Sequence, residues 1–241
     1  MDSEGSLCNG TCWCRLRQSL RRCMASDHDM FRDRRDAGEQ LAALLGEYRG
    51  RHDAVLLALP RGGVPVASAL ARGLALPMDV LCVHKIGAPS EPELAVGAVA
   101  DDGLVVLDEE TIAVMRISEA ALQSVIARER EELLRRERLY RGNRPPLALA
   151  GLIVILVDDG LATGYTMQAA IRAVRRRAPA TIVVAVPVAH QETLDRLHVE
   201  ADDVFCVYVP QRLFAVGQFY GDFRQVTDEQ VLQELSWTAK V

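Results

Sequence analysis

From residue 153 the chain reads Ile153-Val154-Ile155-Leu156-Val157-Asp158-Asp159-Gly160-Leu161-Ala162-Thr163-Gly164-Tyr165-Thr166. Five successive apolar residues, four of them β-branched, suit a central parallel strand covered on both faces. Such a strand has no wet side on which to carry polar groups. The two carboxylates therefore stand at its C-terminal end, where open α/β sheets bind ligands. A loop from Gly160 to Gly164 that feeds a helix leaves backbone N–H groups and the positive end of a helix dipole to hold a phosphate. An Asp-Gly pair near a helix start is by itself a common cap. The unbroken run from apolar strand through both acids and both glycines points to a ligand site.

On either side of this run the chain alternates helical and strand patterns, beginning at Arg32. Leu41, Leu44, Leu45 and Tyr48 recur at helical spacing, and Ala54 to Leu59 suits a first core strand. Pro60-Arg61-Gly62-Gly63 follows as a turn, then a helix from Val64 to about Arg72 closed by Gly73, then a strand from Met78 to His84. This is a βαβ unit, and its hand puts the Pro60 to Gly63 turn on the same sheet edge as Asp158. Two glycines let backbone amides approach an anion, and Arg61 can fork onto phosphate oxygens. The 28 basic residues include only two lysines, Lys85 and Lys240, so a compact ammonium at Lys85, beside the close of the second strand, stands out.

These segments resemble the type I phosphoribosyltransferases. Asp158, Asp159, Gly160, Ala162, Thr163 and Gly164 fall in register with the motif by which that family binds phosphoribosyl pyrophosphate (PRPP). Leu59-Pro60-Arg61-Gly62-Gly63-Val64-Pro65 resembles its pyrophosphate loop, and His84-Lys85-Ile86-Gly87 stands where the family carries a basic residue leading into a flexible catalytic loop. The resemblance spans about Arg32 to Phe223. It implies an α/β fold with a parallel sheet, helices on both faces and a small hood. It further implies transfer of a 5-phosphoribosyl group from PRPP to a nitrogen nucleophile, with loss of pyrophosphate.

On that resemblance Asp158 and Asp159 accept from ribose hydroxyls, and Ala162, Thr163, Gly164, Tyr165 and Thr166 hold the 5-phosphate. Arg61, Gly62, Gly63 and Lys85 meet the pyrophosphate, and Mg²⁺ arrives with PRPP, touching Asp158 and Asp159 only indirectly. The catalytic set is thus Lys85, Arg61, Asp158 and Asp159. The alternative is a catalytically weak PRPP-binding sensor. A Rossmann-type oxidoreductase is disfavoured, since no Gly-x-Gly-x-x-Gly follows a strand.

The segment between Gly87 and Gly103 suits a lid closed by a hairpin of Ala95 to Ala100 with Leu104 to Leu107. A long helix over about 109–141 reads as a family-specific insertion. Later strands are expected at Thr181 to Val186, stopped by Pro187, and at Asp203 to Tyr208. A hood over about 210–224 places Phe219 and Tyr220 either against the acceptor ring or in core packing. With 241 residues, 49% hydrophobic content and net charge −5, the chain can bury one core and has no general attraction for nucleic acid. Arginines cluster at Arg15 to Arg22, Arg32 to Arg35, Arg128 to Arg144 and Arg172 to Arg177, and most of these clusters are expected on solvated helix faces. Residues 1–30, with Cys8, Cys12, Cys14 and Cys23, are expected to form a flexible arm ahead of a domain over 31–241. The spacing of those cysteines lacks paired zinc knuckles. No apolar stretch is long enough to cross a membrane. A cytoplasmic protein binding PRPP and a small-molecule acceptor is expected, and the resemblance is compatible with a homodimer.

Overall fold

The structure, a computed structural model, describes residues 31–142 and 144–236. The expected arm over residues 1–30 and its four cysteines lie outside the described residues.

Helix α1 (Arg34–Leu44) begins at Asp33, whose carboxylate accepts from the Asp36 amide at 2.9 Å. Strand β1 (Ala54–Ala58) leads through the glycine turn into α2 (Gly63–Leu74), and β2 (Met78–Val80) returns parallel to β1. Further along come β6 (Ile153–Val157), α5 (Tyr165–Arg175), β7 (Thr181–Val188), α6 (Gln191–Glu200) and β8 (Asp203–Tyr208). The five strands form one parallel sheet of order β2-β1-β6-β7-β8. Ala58, Val157 and Ala185 stand in register across its centre, so the loops after β1, β6 and β7 emerge at one edge. All five residues of β6 are buried. Truncating a fully buried residue such as Leu156 to Ala costs ~2–5 kcal/mol, so the strand that carries the acids is firmly fixed.

The run from Met78 does not continue as one strand. β2 ends at Val80 with β1, and a new strand, β3 (Val83–Ala88), joins an antiparallel sheet with β4 (Glu91–Ala100) and β5 (Val105–Leu107). Leu81, Cys82 and Val83 are all buried, so hydrophobicity does not mark the exit point. The expected hairpin is present, but β4 begins at Glu91 and takes in much of the expected lid as sheet. Ala98, Ala100 and Val106 pack toward α5, while Ile86, Val96 and Val99 share a core with α4 (Glu119–Arg141).

The helix expected over 109–141 is two helices. α3 (Glu109–Val114) ends near Arg116, whose φ of +53° breaks the turn, and Ser118 caps α4 by accepting from the Ala121 amide. Intrahelical pairs such as Arg135–Glu132 and Arg136–Glu132 hold its exposed side. Pro187 does not stop β7. Val186 and Val188 face β8, and the β6 ladder has already ended opposite Ala185, so no partner needs the missing N–H.

A small hood follows β8. Its single 3₁₀ turn, Val216–Phe219, is tied to the chain ahead of α1, since the Phe31 amide donates to the Phe219 carbonyl at 2.8 Å and the Gly221 amide to the Phe31 carbonyl at 2.7 Å. Helix α7 (Asp228–Leu235) then packs on α2 and α4. Among the described residues no helix is long and apolar enough to cross a membrane.

Candidate active site

The edge described above brings the glycine turn and the acid pair into direct contact. A Cβ added to Gly62 would lie 2.0 Å from Asp159 Oδ2, and one added to Gly63 would lie 2.6 Å from the Val157 carbonyl oxygen. Gly62 has ordinary helical dihedrals, φ −61° and ψ −36°. Its lack of a side chain therefore serves close approach, not backbone freedom. The Pro60-Arg61 peptide is cis.

Each acid uses one oxygen inside the protein. Asp158 Oδ1 accepts from the Asp159 amide at 2.8 Å, and Asp159 Oδ2 accepts from Arg34 Nε at 2.7 Å. Tyr220 donates its hydroxyl to the Asp159 carbonyl at 2.6 Å. Burial and the like charge of Asp159 push the Asp158 carboxyl well above the usual carboxylate range; burial raises Asp159 as well, and the Arg34 guanidinium opposes that rise. Two carboxylates so placed form an acceptor-rich patch suited to hydroxyls.

The loop beyond them is anchored from behind by α6. Thr193 Oγ1 donates to the Ala162 carbonyl at 3.0 Å and Arg196 Nη2 to the Thr163 carbonyl at 2.8 Å, both from α6. Because a trans peptide points its N–H opposite its C=O, the Thr163 and Gly164 amides turn away from α6. Among the described residues none of the amides from Ala162 to Thr166 donates to a protein acceptor, whereas those of Leu161 and Gln168 reach the Val188 and Gly164 carbonyls. Gly164 has φ +80°, a conformation that favours glycine, and it starts the 11-residue α5. Unpaired amides at the start of such a helix attract negative charge.

Tyr165, the first residue of α5, donates its hydroxyl to Asp108, the residue that caps α3. Burial and that carboxylate push its phenol up to about 12. At the other end of α5, Arg177 pairs with Asp101 at 2.5 Å. The antiparallel sheet that carries Lys85 is thus fastened at both ends of the helix whose start is the loop. Lys85 is the one exposed residue of β3, in register with Ala98. It sits within a strand, where the resemblance placed it at the mouth of a loop. Arg61 turns toward α7, its guanidinium 3.9 Å from Asp228 Oδ1. His84 is buried, with Nδ1 3.4 Å from Glu129 Oε2 and Nε2 without a partner among the described residues. Its surroundings are those of packing under α4.

Of the two hood aromatics, Tyr220 is 4% exposed. Its ring lies 5.3 Å from that of Phe31 and 4.9 Å from that of Phe223, a packing position. Phe219 packs against Tyr208, the ring centres 5.4 Å apart and tilted by 53°. The open ring of the hood is Phe214, 80% exposed. It lines a cleft of about 790 Å³ with Thr163, His190, Arg196 and Arg212.

Sequence reading missed Arg34, Thr193 and Arg196. Most of the arginine clusters are expected on solvated faces, but Arg34, a member of one of them, has a side chain 11% exposed. Its only signal is membership of an arginine cluster at a helix start. Among the described residues no group of three or more His, Cys, Asp or Glu side chains is placed to hold a metal ion.

The phosphoribosyl transferase domain family matches residues 32–217. Two Mycobacterium tuberculosis proteins, from strains CDC 1551 / Oshkosh and ATCC 25618 / H37Rv, are provisionally named phosphoribosyl transferases. Each is 42% identical over 203 residues, which make up 84% of this chain and 46% of the relative. The chain therefore spans about half the length of these curated relatives. The crystal structure of TT1426 from Thermus thermophilus is 45% identical, with a TM-score of 0.70, and the match covers 86% of this chain and 97% of that one. A family match over most of the chain, relatives at this identity, and a parallel sheet with an acid pair and an amide-lined loop at one edge lead to one conclusion: the chain belongs to the type I phosphoribosyltransferase family.

Proposed function

We propose that this chain transfers a 5-phosphoribosyl group from PRPP to a nitrogen nucleophile, a nucleobase or a similar small molecule, and releases pyrophosphate. The observation that carries the reading is the contact between the glycine turn and the acid pair, continued into a loop with unpaired amides at a helix start. Ribose hydroxyls donate to Asp158 and Asp159, and the 5-phosphate accepts from the Ala162 to Thr166 amides and the Thr163 and Thr166 hydroxyls. The pyrophosphate then lies toward Gly62, Gly63 and Arg61. The anomeric carbon loses its bond to pyrophosphate oxygen and gains one to the acceptor nitrogen from the opposite face, and the acceptor's proton leaves to solvent.

No enzyme nucleophile is required. The transition state has oxocarbenium character, so the protein works by orientation and by stabilising the departing charge with Arg61 and Lys85. Mg²⁺ fits this donor set as a companion of PRPP. Two hard carboxylates are present, one of them already committed to Arg34, and there is no protein cage among the described residues. Asp158 and Asp159 would face it through ribose or water, and its chemistry is neutralisation of pyrophosphate oxygens. Of the two hood aromatics, Phe219 is the proposed border of the acceptor pocket, and Tyr220, whose ring is buried, supports the site only through its packing and its bond to the Asp159 carbonyl.

The test is pyrophosphate release from PRPP with Mg²⁺ across a panel of purines, pyrimidines and small amines. Release that depends on one acceptor and falls in Lys85→Ala is the expected result, with a loss of about 10²-fold or more, the scale of removing one charge-stabilising group. Tight PRPP binding without release for any acceptor would turn the assignment to a PRPP sensor.

A further inference from the structure

We infer that Arg34 is a positioning residue for the acid pair, selecting which carboxylate oxygens face the ribose; this rests on the PRPP reading above. Arg34 is held on three sides. Its Nε donates to Asp159 Oδ2 at 2.7 Å, its Nη1 donates to the Arg224 carbonyl at 2.9 Å, and its guanidinium carbon lies 3.8 Å from the centre of the Phe223 ring. One planar fork thereby joins α1, the acid pair and the end of the hood. A lysine, with one compact charge, cannot serve the carboxylate, the carbonyl and the ring together.

The consequence lies in the oxygens left over. Asp159 is fixed at its carbonyl by Tyr220 and at Oδ2 by Arg34, while Gly62 closes on that same Oδ2. Asp158 is fixed at Oδ1 by the Asp159 amide. Asp158 Oδ2 and Asp159 Oδ1 accept from no donor among the described residues, and neither is among the buried side-chain atoms that lack a partner. Two reachable acceptor oxygens therefore remain for two vicinal hydroxyls. Without Arg34 the Asp159 carboxylate can rotate, and the second acceptor is no longer fixed.

Calorimetric titration with ribose 5-phosphate and, separately, with Mg²⁺-pyrophosphate distinguishes this role from general support of the fold. Arg34→Met keeps the length and the contact with Phe223 while removing the fork. We expect it to weaken ribose 5-phosphate binding about tenfold or more, the loss of one charge-assisted bond, and to leave pyrophosphate within about twofold. Arg34→Lys should fall between Arg34→Met and the natural protein. Unchanged ribose 5-phosphate affinity in Arg34→Met, or an equal loss for both ligands, overturns the inference. A natural protein that binds neither ribose 5-phosphate nor PRPP overturns the transferase reading, and this inference with it.

Discussion

Gly62→Ala separates two explanations of the glycine turn. If Gly62 served only backbone freedom, alanine would be harmless or mildly favourable, because its φ of −61° and ψ of −36° suit any residue and alanine stabilises helical backbone by ~0.5–1 kcal/mol over glycine. Instead the new methyl carbon would lie 2.0 Å from Asp159 Oδ2 and 2.6 Å from its Cγ, well inside ordinary contact. The carboxylate must rotate away and surrender its 2.7 Å bond from Arg34. Overpacking of this kind costs ~1–3 kcal/mol of stability. A displaced carboxylate also loses its charge-assisted bond to a ribose hydroxyl, worth ~1.5–3 kcal/mol, or about 10- to 150-fold in PRPP affinity. Calorimetry with Mg²⁺-PRPP on Gly62→Ala, Asp159→Ala and the double variant reads the coupling. In the Asp159→Ala background the added methyl meets no carboxylate, so Gly62→Ala should there change affinity little. A Gly62→Ala protein that binds PRPP within about threefold of the natural chain would rule out the close-approach role.

Other outcomes follow from the same geometry. Gly164→Ala must hold φ near +80° with its methyl 2.7 Å from Thr193 Cγ2; the backbone term alone costs ~1–2 kcal/mol, a fall in Tm of about 2–8 °C by calorimetry for a chain of this size, and an unchanged Tm contradicts it. Burial under α4, helped by the nearby positive charge of Arg136, holds the His84 imidazole pKa below its ordinary value against the pull of Glu129 and Glu132. Because the unfolded chain takes up that proton near pH ~6.5, the stability from neutral His84 is complete above that pH and falls as the pH drops below it toward the folded value. Tm should therefore fall less from pH ~7.5 to ~5.5 in His84→Gln than in the natural protein, and equal slopes would show the sign to be wrong.

Local pattern made the centre of this site legible. The β-branched run of β6 forces a covered strand, and a covered strand leaves its carboxylates at the end, so the sequence pattern alone places Asp158 and Asp159 at the C-terminal edge of the sheet. The β1–α2 unit fixed the glycine turn beside them in the same way. What stayed hidden depended on partners far away in the chain. Arg34 meets Asp159 across 125 residues, and nothing in an exposed-looking arginine cluster says which member turns inward. Thr193 and Arg196 become visible only once α6 lies behind the loop. The strand expected over Met78 to His84 divided because pairing with β1 ran out at Val80, while the buried side chains continued without a break. Hydrophobicity reports burial, not which sheet a residue joins.

Whether the acid pair and the amide loop bind PRPP is decided by titrating Mg²⁺-PRPP into the natural protein and into the Asp158→Asn, Asp159→Asn double variant, with Tm measured on both. Saturable binding is expected for the natural protein, with a loss of about 100-fold or more in the variant, two charge-assisted bonds at ~1.5–3 kcal/mol each. Equal affinity in a folded double variant would mean that PRPP is not held by these carboxylates.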